Sequence, residues 1–297
     1  MHRKIDNNSD SAVARLMDPD GDQCIALWRV RPFDQWPQLE KPIEPIRIVA
    51  VLDTETTGLD PDRDIVIEIA VAFCQVDGLG RIVRVPSGGQ ARQDPGFPLS
   101  AKITQLTGLT DAMLQGHFIN TSHIADRLNA VEAIVSHNAA FDRPFVERLL
   151  PELQDKPWVC SMNDANWAEW GFDGKKQDHL LMQTGLFNPV KHRAMSDVVS
   201  LVNLLDQEMP TGGSVIGECL DRAQRPTWRF EARGLPFDYK DIVKARGWKW
   251  NAKQKVWWTE VEEDQREIEE AWYARSFKPY TGQPNVEKMT WVTRYKT

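Results

Sequence analysis

Asp53 and Glu55 stand one residue apart at the end of the apolar run IRIVAVL, residues 46–52. Side chains on a strand alternate faces, so both carboxylates project to one side, roughly 7 Å apart along the backbone. Like charges held this close repel unless a cation or a shared proton lies between them. Taken alone, the pair also fits a solvated strand end. Two further segments add groups of the same kind: Asp142 in SHNAAFD (136–142), and His192 with Asp197 in HRAMSD (192–197). Mg²⁺ and Mn²⁺ take hard oxygen ligands and keep positions for water and phosphate. Two such ions about 4 Å apart stabilise both the attacking and the leaving oxygen in phosphoryl transfer. A histidine titrating near neutrality can accept the proton of an attacking water.

The elements that must position these groups are legible in the hydrophobic pattern. IRIVAVLDTE reads as a buried strand, DIVIEIAVAFCQV (64–76) as a second, and RIVRV (81–85) as a third across the turn DGLG. Residues 86–98, rich in Gly and Pro, are expected to form a loop. Short helices follow in SAKITQLTG, in TDAMLQG capped by Thr110, and in SHIADRLNAV capped by Ser122. AIVSHN (133–138) and PWVCSM (157–162) read as strands, and AAFDRPFVERLL (139–150) as an amphipathic helix with Pro144 near its first turns. AMSDVVSLVNLLDQE (194–208) carries Val198, Leu201, Val202 and Leu205 on one stripe. A meander followed by alternating strands and helices implies a mixed α/β sheet with helices packed on it. Sites in such sheets form at the carboxyl ends of strands, where LDTE and SHN both fall.

Composition sets the outer bounds. The 297 residues are 41% hydrophobic and 27% charged, ordinary for a globular chain. No apolar stretch approaches a membrane span, and the N-terminus lacks the apolar centre of a signal peptide. Cys24, Cys74, Cys160 and Cys219 are widely spaced and form no metal-type pairs, so a reduced, cytoplasmic setting and no membrane partner are expected. The net charge of −7 is uneven: residues 222–297 hold 16 Lys and Arg against 11 Asp and Glu. An acidic front and a basic back suggest two modules. Residues 1–17 are polar and read as loose. DPDGDQ (18–23) lacks the Gly and Glu of a calcium loop and reads as a turn, and CIALWRV (24–30) reads as a short strand. Residues 31–45, with four prolines, read as an extended linker.

The ordered set DTETTG, SHNAAFD and HRAMSD resembles the DEDDh 3′–5′ exonucleases, the family of the bacterial DNA polymerase III proofreading subunit and ribonuclease T. The resemblance covers about residues 46–208. It implies a ribonuclease H-like mixed β-sheet flanked by helices. It also implies that Asp53, Glu55, Asp142 and Asp197 carry two divalent cations, Mg²⁺ or Mn²⁺, with Asp53 bridging and His192 as general base. Thr56, Thr57 and Leu59 would hold the 3′-terminal nucleotide, with Asn138 and Phe141 lining the same pocket. The implied activity is metal-dependent hydrolysis of terminal phosphodiesters, releasing nucleoside 5′-monophosphates. DNA, single-stranded or frayed, is the preferred partner. RNA or short oligonucleotides, and a binding protein with a vestigial core, are the alternatives.

Other polar residues receive no catalytic role. His137 is expected to orient its neighbours and His179 to sit on a helix surface. Asp60, Asp62 and Asp64 read as a solvated turn, and Glu68, inside an apolar strand, as a core-edge acid paired with a basic group. The division expected is an extension and linker over 1–45, the exonuclease domain over 46–209, a linker helix over 210–226, and a basic small α+β module over 227–297. That module holds seven of the 12 tryptophans. GWKW and KVWW flank NAKQ as a hairpin, with Trp248 and Trp250 on one face and Trp257 and Trp258 on opposite faces. Aromatics among lysines suit either a single-strand platform or the core of a small domain, and most of the tryptophans are assigned to the core.

Overall fold

The computed structural model of the chain describes residues 12–17, 24–210, 212–277 and 283–296, with side chains from residue 26 onward. Two compact units are present: residues 1–223 with 295–297, and residues 224–294. The first contains β1 (Ala12–Met17), β2 (Cys24–Arg29), β3 (Arg47–Thr56), β4 (Val66–Val76) and β5 (Ile82–Arg92). Helices α1 (Ala101–Thr107), α2 (Asp111–Leu114) and α3 (Thr121–Asn129) follow. Then come β6 (Ala133–Ser136), α4 (Ala139–Leu149), β7 (Trp158–Cys160), α5 (Gln177–Gln183), β8 (Leu186–Phe187), α6 (Ala194–Leu205) and α7 (Val215–Gln224).

The central sheet has the order β5-β4-β3-β6-β7. β3, β4 and β5 form an antiparallel meander, while β6 and β7 add in parallel. This is the mixed, helix-flanked, ribonuclease H-like sheet expected from the motifs. β3 is buried from Val49 to Leu52 because both of its faces are covered. Ala50 and Leu52 pack with Leu128, Ile134, Val146 and Trp158 in one core. Thr54 continues that face, and Asp53 and Glu55 continue the other, where α6 crosses β3 and β4.

Several boundaries differ from the sequence reading. β5 does not end at residue 85 but runs to Arg92, pairing Gly88 and Gly89 with Ala72 and Val71. It is an edge strand, and Pro86 falls at a register irregularity, so neither Gly nor Pro breaks it. The cap of α3 is Asn120, whose Oδ1 accepts from the His123 N–H at 3.1 Å, rather than Ser122. α6 stops at Leu205. Residues 12–17, expected to be loose, pair with β2, and β2 pairs in parallel with β8. The proline-rich segment is attached to unit 1. Asn203 exchanges two hydrogen bonds of 2.9 Å with the backbone of Arg31, and the Leu39 N–H donates to the Val83 carbonyl. Residues 215–223, expected within a linker, belong to the first unit. The turn expected at 18–23 lies outside the described residues.

The second unit holds β9 (Thr227–Arg233), α8 (Lys240–Ala245), β10 (Lys249–Asn251), β11 (Val256–Glu262), α9 (Arg266–Phe277) and β12 (Asn285–Met289), with its sheet in the order β10-β11-β9-β12. Its core joins Phe230, Ala232, Val243, Trp248, Tyr273 and Phe277. Trp248 stacks on Tyr273 at 5.6 Å, and its indole N–H donates to Glu269 Oε1 at 2.7 Å. The expected hairpin is present, but Trp248 and Trp250 do not share a face. Trp248 precedes the strand and is buried at 3% exposure, whereas Trp250 is 50% exposed. Trp248→Ala should therefore destabilise this unit by about 3–5 kcal/mol. Trp250→Ala should shift it by less than about 0.5 kcal/mol. Hydrogen exchange of peptides from residues 227–277 measures both.

Candidate active site

The carboxyl ends of β3 and β6 open on a cleft of about 670 Å³. Asp53, Glu55 and Asp197 lie on its floor, each offering a carboxylate oxygen within 4.8 Å of the others. The first two come from alternate positions of β3, and Asp197 from the first turn of α6. Asp142 also lines the cleft but arrives from α4, on the Thr54 side of the sheet. Its Oδ1 accepts from the Thr54 N–H at 3.2 Å and the Thr54 hydroxyl at 2.8 Å. Of the four expected ligands, three are thus gathered within reach of one ion, and the fourth is held beside them by Thr54.

Burial and mutual repulsion dominate the electrostatics. Desolvation raises Asp53 well above the usual carboxylate range, and the charges of Asp142, Asp197 and Glu55 add to it. Burial, then Asp197, Glu68 and Asp142, push Glu55 up to about 8. Burial raises Asp142 and Asp197 to about 6, against the hydrogen bonds from Thr54 and from the Arg193 N–H respectively. Such a set of hard oxygen donors, each strained toward neutrality, fits a divalent cation, which would replace protons as the counter-charge.

Glu68 makes the opposite use of a buried carboxylate. It pairs directly across the ladder from Glu55, and its side chain is fully buried. It accepts from Arg92 Nε at 2.9 Å, from Arg193 Nη2 at 3.1 Å and from the Ala194 N–H at 3.1 Å. Despite burial, the hydrogen bonds from Arg193 and Arg92 hold it below its ordinary value. The expected basic partner is therefore two arginines, and the sequence reading missed what the pairing achieves. Glu68 anchors the first residue of α6, the helix that carries Asp197. The signal available was an acid inside an apolar strand together with the Arg that follows His192.

His192 is exposed at the cleft wall, with a left-handed backbone (φ 55°) at the entry to α6. That conformation is uncommon for a non-glycine residue, and strained backbones recur at active sites. His137 is not a rival base. Its Nε2–H donates to the Lys175 carbonyl and its Nδ1 accepts from the Ser161 hydroxyl, each at 2.7 Å. Burial pulls its pKa down to about 4, so it is neutral and braces the segment at Lys175. His179 is half-exposed on α5, as expected.

Leu59, Thr56, Asn138 and Phe141 line the cleft, Leu59 with 81% exposure. Thr57 is placed differently. Its hydroxyl donates to Asp64 Oδ1 at 3.1 Å and accepts from the Ile65 N–H at 3.1 Å, so it holds the loop rather than facing the cleft. Asp64 is accordingly more than a solvated turn residue. Its Oδ2 accepts from the Asp60 N–H at 2.9 Å, and a Cβ on Gly58 would collide with its carboxylate. The sequence reading did not single out Ile103, Leu106, Met162, Lys175 and Lys176, which also line the cleft. Leu106 is 48% exposed, and that apolar exposure beside the cleft is visible only in the fold.

Residues 50–205 match the family described as Exonuclease (RNase_T). The match spans more than half of the chain, which belongs to this family and is an enzyme of the exonuclease class. The DNA polymerase III PolC-type of Bacillus subtilis (strain 168) is 40% identical over 162 residues, covering 52% of this chain and 11% of that protein. The DNA polymerase III subunit epsilon of Treponema pallidum (strain Nichols) is 28% identical over 184 residues, covering 59% of this chain and 82% of that protein. The match to PolC-type relatives thus spans about a tenth of their length. Among solved structures, exonuclease X in complex with 5′ overhanging duplex DNA has 24% identity and a TM-score of 0.42, over 53% of this chain and 89% of that one. E. coli exonuclease I in complex with a dT13 oligonucleotide has 13% identity and a TM-score of 0.47, over 83% and 64%.

The charges of the site make its stability depend on pH. A raised Glu55 means that the folded chain keeps a proton the unfolded chain releases. Metal-free stability from this group is present at low pH and is lost as pH rises from 4.5 to about 8. Below pH 6.5 the depressed His137 acts in the opposite sense. In EDTA, Tm should therefore fall between pH 6.5 and 8, less so in Glu55→Gln, and Mn²⁺ should raise it most at pH 8. A flat or rising Tm would contradict the assignment. Glu68→Ala, which leaves two arginines without their buried partner, should cost about 3 kcal/mol in urea unfolding.

Proposed function

We propose that the chain is a metal-dependent 3′–5′ exonuclease acting on the 3′ ends of DNA, single-stranded or frayed, and releasing nucleoside 5′-monophosphates. The observation that carries this reading is the convergence of Asp53, Glu55 and Asp197 within 4.8 Å at the floor of an open cleft. Relatives named as DNA polymerase III PolC-type and DNA polymerase III subunit epsilon favour DNA over RNA.

Asp53, Glu55 and Asp197, with Asp142 beside them, would hold two divalent cations, Mg²⁺ or Mn²⁺. When bound, the cations supply the positive charge that offsets the build-up on the phosphate oxygens. The residues of the chain do the rest. Leu59 and Phe141 offer apolar contact to the terminal base, and Asn138 offers a hydrogen-bonding group. Thr56, whose hydroxyl donates to the Gly58 carbonyl, fixes the loop that carries Leu59. A ring nitrogen of His192 takes the proton of the water that attacks the terminal phosphorus. The bond to the 3′-oxygen of the penultimate nucleotide breaks, that oxygen is protonated from solvent, and the terminal nucleotide leaves with its 5′-phosphate.

The test is a gel assay on 5′-labelled single-stranded DNA and RNA with Mg²⁺ or Mn²⁺. A ladder shortening from the 3′ end is expected, faster on DNA. EDTA should abolish it, and Asp53→Ala should slow it by more than about a hundredfold. Binding without cleavage of either strand would point instead to a nucleic-acid-binding protein.

A further inference from the structure

The second unit has an end that its core does not explain. β9 finishes at Arg233, which pairs with Val256 at the start of β11. The loop from residue 234 therefore leaves the sheet beside the hairpin turn that joins β10 to β11. Two aromatic rings of these segments are exposed: Phe237 of the loop at 75% and Trp250 of the hairpin at 50%. Trp250 lies 5.4 Å from Trp257, so one of its faces is braced by the module and the rest meets solvent. Lys240 Nζ sits 3.8 Å from the Phe237 ring centroid. Lys253 and Lys255 are exposed on the hairpin, whereas Lys249 alternates to the other face of β10, its Nζ 5.2 Å from the Trp258 ring centroid. Residues 234–255 hold two acids, Asp238 and Asp241, against five lysines and one arginine.

Scattered apolar residues on a surface are ordinary and by themselves mean little. Here the exposed rings are aromatic, both belong to a segment rich in cations, and neither belongs to the buried set of this unit. Exposed π-faces interleaved with lysines suit unstacked bases joined by phosphates. A duplex keeps its bases stacked and offers the rings nothing to cover. We infer that Phe237, Lys240, Trp250, Lys253 and Lys255 form a second nucleic-acid subsite, one that takes single-stranded DNA or RNA by base stacking and phosphate contact. The choice of ligand class rests on the exonuclease reading. The surface itself does not.

The experiment uses the full chain carrying Asp53→Asn in EDTA, with fluorescein-labelled dT20 followed by anisotropy. The double variant Phe237→Ala/Trp250→Ala should weaken binding about 5- to 100-fold. The double variant Lys253→Glu/Lys255→Glu should weaken it too. It should also flatten the slope of log K against log salt by about 1.4, at roughly 0.7 for each phosphate no longer neutralised. With Asp53 restored, both doubles should hydrolyse p-nitrophenyl thymidine 5′-monophosphate, too short to bridge two sites, at the parent rate. Unchanged dT20 affinity in both doubles overturns the proposal. So does a parent chain that takes polyglutamate on this face but not dT20, which would make the face an acidic-peptide site. Hydrolysis reports on the cleft and anisotropy on this surface, so the two readings fail separately.

Discussion

Carboxylates crowded at the end of one sheet repel each other, and the arrangement of unit 1 is an answer to that repulsion. Asp53, Glu55 and Asp197 share one small volume, with Asp142 alongside. Left without counter-charge, they are driven toward their protonated forms. Glu68 lies directly across the ladder from Glu55 and carries the same charge, yet it is driven the other way. The difference is the partner. Two arginines and a helical N–H surround Glu68, while the others face an open cleft that a cation can enter.

That contrast ties chemistry to architecture. Because Glu68 holds both the Ala194 N–H and the Arg193 guanidinium, the start of α6 is pinned to β4. Asp197 and the strained His192 are carried by the same turn, so their placement follows from an ion cluster that does not itself line the cleft. On the opposite side of the sheet, Thr54 performs a similar service for Asp142. The loop beyond β3 has its own scaffold, with Asp64 gripping Thr57 and the Asp60 N–H and leaving room at residue 58 for nothing larger than glycine. Leu59 is thereby presented to the cleft from a braced loop.

The second unit solves a different problem. It is small, and it builds its core from aromatic rings, each burying more surface than an aliphatic side chain. Trp248, Tyr273 and Phe277 serve that purpose. Around them, Arg266 covers Trp228 at 3.6 Å, and Arg229 covers Trp258 at 4.6 Å. Trp228, Trp257 and Trp272 pack partly buried against the core, so most of the tryptophan content of the unit has a packing role, and Trp250 stands apart from it.

The order of strands and helices from β3 to β7, the alternation that puts Asp53 and Glu55 on one face, and the acid and histidine positions could all be read from local pattern. Such features depend on spacing of two or 3.6 residues and on motif order, which a chain carries in one dimension. The extension of β5 through Pro86, Gly88 and Gly89 could not be read, because a long neighbouring strand and an edge position override local propensity. Glu68 was visible as an anomaly, but its partners lie 24 and 125 residues away. Thr57 and Asp64 looked like a substrate contact and a solvated acid until the loop closed on itself. Trp248 and Trp250, two residues apart, differ in burial because one precedes the strand and is covered by α9 while the other sits on its open edge. Residue types and their periods determined which groups could do chemistry. Which of them face a cleft, which serve as anchors and which lie buried was decided by contacts between segments distant in the chain, since burial and charge pairing are properties of what surrounds a residue in space.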